Sequence, residues 1–208
     1  KNATVIEAKD RTVLGTIDLG GVPEEAVSDG TGTMYVVLPD SEGRIPVVAT
    51  RTMKATGHYP LGDRGRCNGL ALDAKHHVLF AACAQSGSPP ADPPQPMMVI
   101  LSATTGAILD SLPLAGRSDG AVFNAATMEA FSTHSNGTLT VVQESSPTRF
   151  AVEQNLETMV GARTITLDTK TGHILTMSLK RGPAPPPAPG GNGRERFAPA
   201  IPGSFTIL

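Results

Sequence analysis

Apolar and polar positions along this chain fall into short β-type runs separated by turn residues. Four hairpin patterns repeat, each an apolar run, an Asp or Asn turn and a second apolar run. They read PEEAVSDGTGTMYVVL (23–38), CNGLALDAKHHVLFAAC (67–83), SDGAVFNAATMEAFSTH (118–134) and ARTITLDTKTGHILTMS (162–178). Runs rich in β-branched residues and bounded by Asp, Asn and Gly read as strands joined by tight turns. The turns begin at Asp29, Asp73, Asn124 and Asp168, spaced 44, 51 and 44 residues apart. The proline-rich insert SGSPPADPPQP (86–96) lies in the long interval and accounts for its excess.

Two further runs lie between successive hairpins. The first reads ATVIE, IPVVA, MMVIL, TLTVV and finally SFTIL; the second reads TVLGTIDLG, MKATGHYPLG, AILDSLPLAG and, more weakly, RFAVEQNLE. Four strands per unit of about 40–45 residues is the period of a β-propeller blade. The predicted fold is therefore all-β, one propeller domain over residues 1–208, with repeats near 1–43, 44–95, 96–136 and 137–180. Residues 181–203 form a Pro/Gly-rich loop, and 204–208 a strand of a following blade. Gly (22) and Pro (18) together approach a fifth of the 208 residues, above the usual combined share of roughly 12%, which suits a chain of many turns.

Both cysteines lie in the second hairpin. Pairing it about Lys75 sets Asp73 opposite His77 and Cys67 opposite Cys83. Directly opposed residues bring their Cβ atoms within about 5 Å, in reach of a cross-strand disulfide. Two buried thiols, or a reactive or metal-binding pair, remain open alternatives, although no C-x2-C spacing supports a metal. A disulfide would imply an oxidising compartment, periplasmic or extracellular.

The opening segment VIEAKDRTVLGTIDLGGVPEEAVSDGTGTMYVVL carries a V-I-E strand, an L-G-x-x-P corner, a D-G turn and a Y-V-V strand. It resembles the YVTN-type, YncE-like propeller repeat, and the resemblance extends over the chain outside its proline-rich inserts. It implies a propeller usually of seven blades, in a family made mostly of binding proteins and of surface or periplasmic proteins. The chain begins and ends on the same strand type and opens without Met. It is expected to be an arc of a larger ring, completed by further blades or by another chain.

Charge narrows the partners. The net charge is −2, so nothing favours nucleic acid, whose phosphates require a basic face. No apolar run approaches the roughly 18 residues of a membrane span. The expected partner is a protein or a small-molecule ligand.

In a propeller the first strand of each such hairpin lines the central channel. Five residues before each turn residue stand Glu24, Asn68, Asp119 and Arg163. One register would bring all four to one channel mouth. A wet channel mouth explains polar residues without a ligand. A binding mouth is the alternative, with Arg163 meeting an anion or pairing with a carboxylate. Glu24, Asn68 and Asp119 also offer the oxygen ligands that suit Ca²⁺, and such a ring resembles the cation site of gluconolactonase-type propellers. The leading expectation is a non-catalytic binding scaffold without cofactor. The alternative is a divalent-cation-dependent, lactonase-like hydrolase. His76 and His77 read as a solvated turn tip, and His134, in the place of Cys83, as structural. In the 181–203 loop, Arg194, Arg196 and Phe197 are candidate partner contacts.

Overall fold

The computed structural model describes residues 1–40, 43–84, 95–183, 185 and 198–208. Five antiparallel sheets follow one another in chain order. The first pairs β1 (Asn2–Ile6) with β2 (Val13–Asp18). The second contains β3 (Ala26–Ser28), β4 (Thr33–Val36), β5 (Arg44–Ala49) and β6 (Lys54–Pro60). The third contains β7 (Cys67–Asp73), β8 (Val78–Cys83), β9 (Met97–Ser102) and β10 (Ile108–Pro113). The fourth contains β11 (Ser118–Asn124), β12 (Glu129–His134), β13 (Thr138–Ser146) and β14 (Arg149–Glu157). The fifth holds β15 (Ile165–Asp168), β16 (His173–Ser178) and β17 (Thr206–Ile207). The second to fifth sheets are meanders in which each strand pairs with the next. Among the described residues the only helical element is a 3₁₀ turn at Gly62–Arg64, and no helix is long and apolar enough to cross a membrane.

Adjacent sheets pack face to face, which explains the apolar runs. β8 is buried along its whole length because a neighbouring sheet covers each of its faces. Tyr35, Ile45 and Leu61 of one blade pack with Leu70, Leu79 and Val99 of the next. Phe80, Met98 and Ile100 of that blade pack with Ala121, Val142 and Phe150 of the following one. Outer strands such as β6 are exposed. The hydroxyls of Tyr35 and Tyr59 both donate to the Ala103 carbonyl, at 2.9 and 2.8 Å, tying the second sheet to a turn of the third.

The four turn residues share one device. Asp29, Asp73, Asn124 and Asp168 each accept, through a side-chain oxygen, the backbone N–H two residues on. This Asx turn supplies locally the partner that the reversing backbone lacks.

Two boundary details differ from the sequence reading. Asp73 pairs with Val78 rather than His77, because His77 takes a left-handed φ of 56° within the turn and lengthens it. The register shifts between Cys67 and Gly69, a bulge at Asn68 that returns Cys67 to a position opposite Cys83. The two cysteines form a disulfide. Residues 204–208 were expected in a following blade, yet Thr206 and Ile207 pair with Ser178 and Met177 of β16. The sheets are cut half a repeat later than the sequence units, because hydrogen bonding groups each hairpin with the runs that follow it.

The inner strands converge. β7 and β11 approach so closely that a Cβ on Gly69 would lie 2.8 Å from the Gly120 carbonyl carbon. The first sheet has two strands and the fifth three, and they belong to separate sheets. Ile6, Val13 and Leu14 at one end of the arc are exposed, as are Leu175, Met177 and Ile207 at the other. The molecule is a partial β-propeller.

Candidate functional site

Of the predicted mouth residues, Asn68 and Asp119 lie on the inner strands β7 and β11, and Glu24 and Arg163 lie just before β3 and β15. The Glu25 N–H donates to the Asn68 carbonyl at 3.4 Å, linking the segment before β3 to β7. Asp119 and Arg163 meet as an ion pair, Arg163 Nε lying 3.6 Å from Asp119 Oδ2. Asn68 and Asp119 occupy the same irregular position, since the β11–β12 register also shifts between Ser118 and Gly120. Each is thus left out of the ladder pairing at the same strand end. Glu24 is exposed, and its N–H donates to the Val37 carbonyl at 3.0 Å. Beside Arg163 a cleft of about 320 Å³ opens between Ser135, Gly161, Thr164, Ser178 and Arg181. Arg194, Arg196 and Phe197 lie outside the described residues.

Sequence reasoning missed the residue that ties this end together. Glu25 Oε2 accepts from Leu70 N at 2.7 Å and from Ala121 N at 3.0 Å. One carboxylate thus joins three blades. Inner strands are sheet edges whose outward N–H groups need acceptors, and Glu25 supplies one. Burial raises its pKa, against the hydrogen bonds from Leu70 and Ala121. The adjacent pair Glu24-Glu25 ahead of a strand was the available signal, but only one of the two fits the shared register.

At the other end of β7 a second group converges. His76 Nδ1 lies 2.7 Å from Asp73 Oδ2 and 3.1 Å from Glu144 Oε1. The contact with Glu144 is a hydrogen bond, whereas Asp73 Oδ2 lacks the alignment of one. The Glu144 side chain is fully buried, that of Asp73 is 2% exposed and that of His76 25%. Burial and repulsion from Asp73 push the Glu144 pKa up to about 7. Asp73 and His76 come from one turn, so D-x-x-H was visible in DAKHH. Glu144 arrives on β13 of the next blade, which a solvated-turn reading of His76 did not anticipate.

His134 is structural in its contacts. It is fully buried and its Nε2 lies 3.0 Å from Thr140 Oγ1. Thr140 donates to Asn155 Oδ1, so His134 Nε2 is the donor in that pair. Burial lowers the His134 pKa to about 4. It sits opposite Ser118, where the preceding blade has its disulfide.

No family model and no curated protein matches the chain. Solved structures do. A chain of Kuenenia stuttgartiensis hydrazine synthase superposes with a TM-score of 0.66 at 14% identity, over 84% of this chain and 55% of that one. The β-propeller domain of Cps50 (Swd1) from Myceliophteria thermophila superposes with a TM-score of 0.56 at 11% identity, over 76% of this chain and 49% of that one. The chain therefore spans about half the length of these structures. At such identities the likeness concerns architecture alone, and with the sheet order it makes this chain a partial β-propeller of four-stranded antiparallel blades.

Proposed function

We propose that the chain is a non-catalytic binding scaffold of the YVTN-type, YncE-like kind, working in the periplasm or at the cell surface. It takes a peptide segment of a protein partner, or a small polar ligand, at the rim formed by Glu24, Asn68, Asp119 and Arg163. The observation that carries this reading is the bulge repeated at Asn68 and Asp119, together with the pairing of Asp119 with Arg163. A carboxylate and a guanidinium held side by side and partly exposed suit a ligand with both a donor and an acceptor, as a peptide backbone has. The Cys67–Cys83 bridge favours an oxidising compartment. The lactonase-like alternative finds less support at this rim, because Asp119 faces Arg163, which already supplies the charge a cation would bring.

A peptide-display selection on the immobilised chain tests the reading, with N68A and the double variant D119A/R163A as counter-targets. Enriched peptides should bind the wild type at least tenfold more tightly than either variant. Peptides that bind all three alike, or no enrichment, would remove the rim as the binding site.

A further inference from the structure

We propose that Asp73, His76 and Glu144 form a binding site for a divalent transition cation of the zinc class, clipping the third blade to the fourth. The ligand atoms all lie within 4.8 Å of one another. Donors at about 2.0–2.2 Å from a tetrahedral cation stand roughly 3.3–3.6 Å apart. The contacts of 2.7 and 3.1 Å at His76 Nδ1 reach that spacing when the ring draws back by roughly 0.6–0.9 Å from Asp73 and roughly 0.2–0.5 Å from Glu144.

The unbonded atoms point to a ligand. Glu144 Oε2 and Asp73 Oδ2 are buried and have no hydrogen-bond partner. Two buried carboxylates a few ångströms apart repel unless a cation or a shared proton lies between them. One imidazole N–H satisfies one of them and not the other. A cation reached by one lone pair from each residue would satisfy all three groups. Imidazole among the ligands favours zinc-class ions over Ca²⁺ or Mg²⁺.

The surroundings fit a metal shell. Asp73 Oδ1 accepts from Lys75 N at 2.9 Å, fixing the carboxylate so that Oδ2 faces His76. Such an outer hydrogen bond orients a ligand before the ion arrives. The partial exposure of His76 leaves one side open for water as the remaining ligand. This site lies at the far end of β7 from the rim and does not depend on the rim's ligand.

The test uses the 208-residue chain, stripped of metal with a chelator, and the variants H76Q and E144Q. Zn²⁺ is titrated by calorimetry, and Co²⁺ by its visible absorption. The wild type should bind one equivalent of Zn²⁺, gain thermal stability with it, and give a Co²⁺ spectrum of a mixed N/O site. Each variant should bind at least tenfold more weakly and lose the thermal shift. E144Q removes the carboxylate repulsion and should fold at least as well as the wild type without metal, so its loss of binding is not a folding defect. Equal Zn²⁺ shifts in wild type and both variants, or no binding by the wild type, would overturn the site. The second result would leave a proton shared between the carboxylates as the device that holds this corner.

Discussion

Glu25 and His134 decide much with single side chains. Glu25 accepts from two blades at once, so removing the carboxylate strands two backbone donors. An unpaired, partly buried donor costs on the order of 1–3 kcal/mol. E25A should therefore lower the stability measured by urea unfolding by about 2–3 kcal/mol at unchanged slope, while E25Q, which keeps an acceptor oxygen, should lose less than half of that. Equal losses in the two variants would show that Glu25 acts by packing and not by its hydrogen bonds. His134 makes a pH prediction. Its pKa is about 4 when folded, against an ordinary 6.5, so the folded state holds it neutral and acid favours unfolding. The stability from this group is complete above pH 6.5, falls between 6.5 and 4, and levels off below, by about 3 kcal/mol at most. The difference between wild type and H134Q across that window isolates it from other titrating groups. Parallel pH profiles for the two would refute the assignment.

At the level of elements, the hairpin is the unit that repeats, and the sequence disclosed it through its turn residues. Asp29, Asp73, Asn124 and Asp168 were legible because an Asx turn is a local device, requiring an acceptor two residues before a free N–H. The cysteine pairing was legible for the same reason, as two positions on one hairpin. The register between them was not. Left-handed backbone at His77 and the bulge at Asn68 are two compensating irregularities that a symmetric pairing cannot show. The bridge closes a loop of about 15 residues, for which constraint of the unfolded chain is worth about 3 kcal/mol. The double variant C67A/C83A should lose at least about 2 kcal/mol in urea unfolding, and added reductant should destabilise the wild type but not the variant. An unchanged midpoint in both comparisons would mean that the bridge contributes nothing to stability.

For the molecule as a whole, the open arc matters most. Interior blades are covered on both faces, but Val13 and Leu14 at one end, and Met177 and Ile207 at the other, remain exposed. Apolar sheet faces and unpaired edges favour association. The 208-residue chain should self-associate with rising concentration in sedimentation velocity, and V13K/M177K should shift it toward the single-chain species. A wild type that stays single-chain at the highest concentration would mean that these faces do not attract one another.

The sequence by itself determined what depends on neighbours along the chain: strands from apolar runs, turns from Asp and Asn, the blade period, and the placing of Cys67 opposite Cys83, whose bond the structure supplied. Of the four residues that share one sequence register, Glu24, Asn68, Asp119 and Arg163, the structure pairs the side chains of Asp119 and Arg163. Only the tertiary structure decided which of two adjacent glutamates reaches across to the next two blades. It also decided that Glu144 meets a turn 68 residues earlier. Those contacts arise from the angle and spacing between packed sheets, which no periodicity within one chain segment encodes.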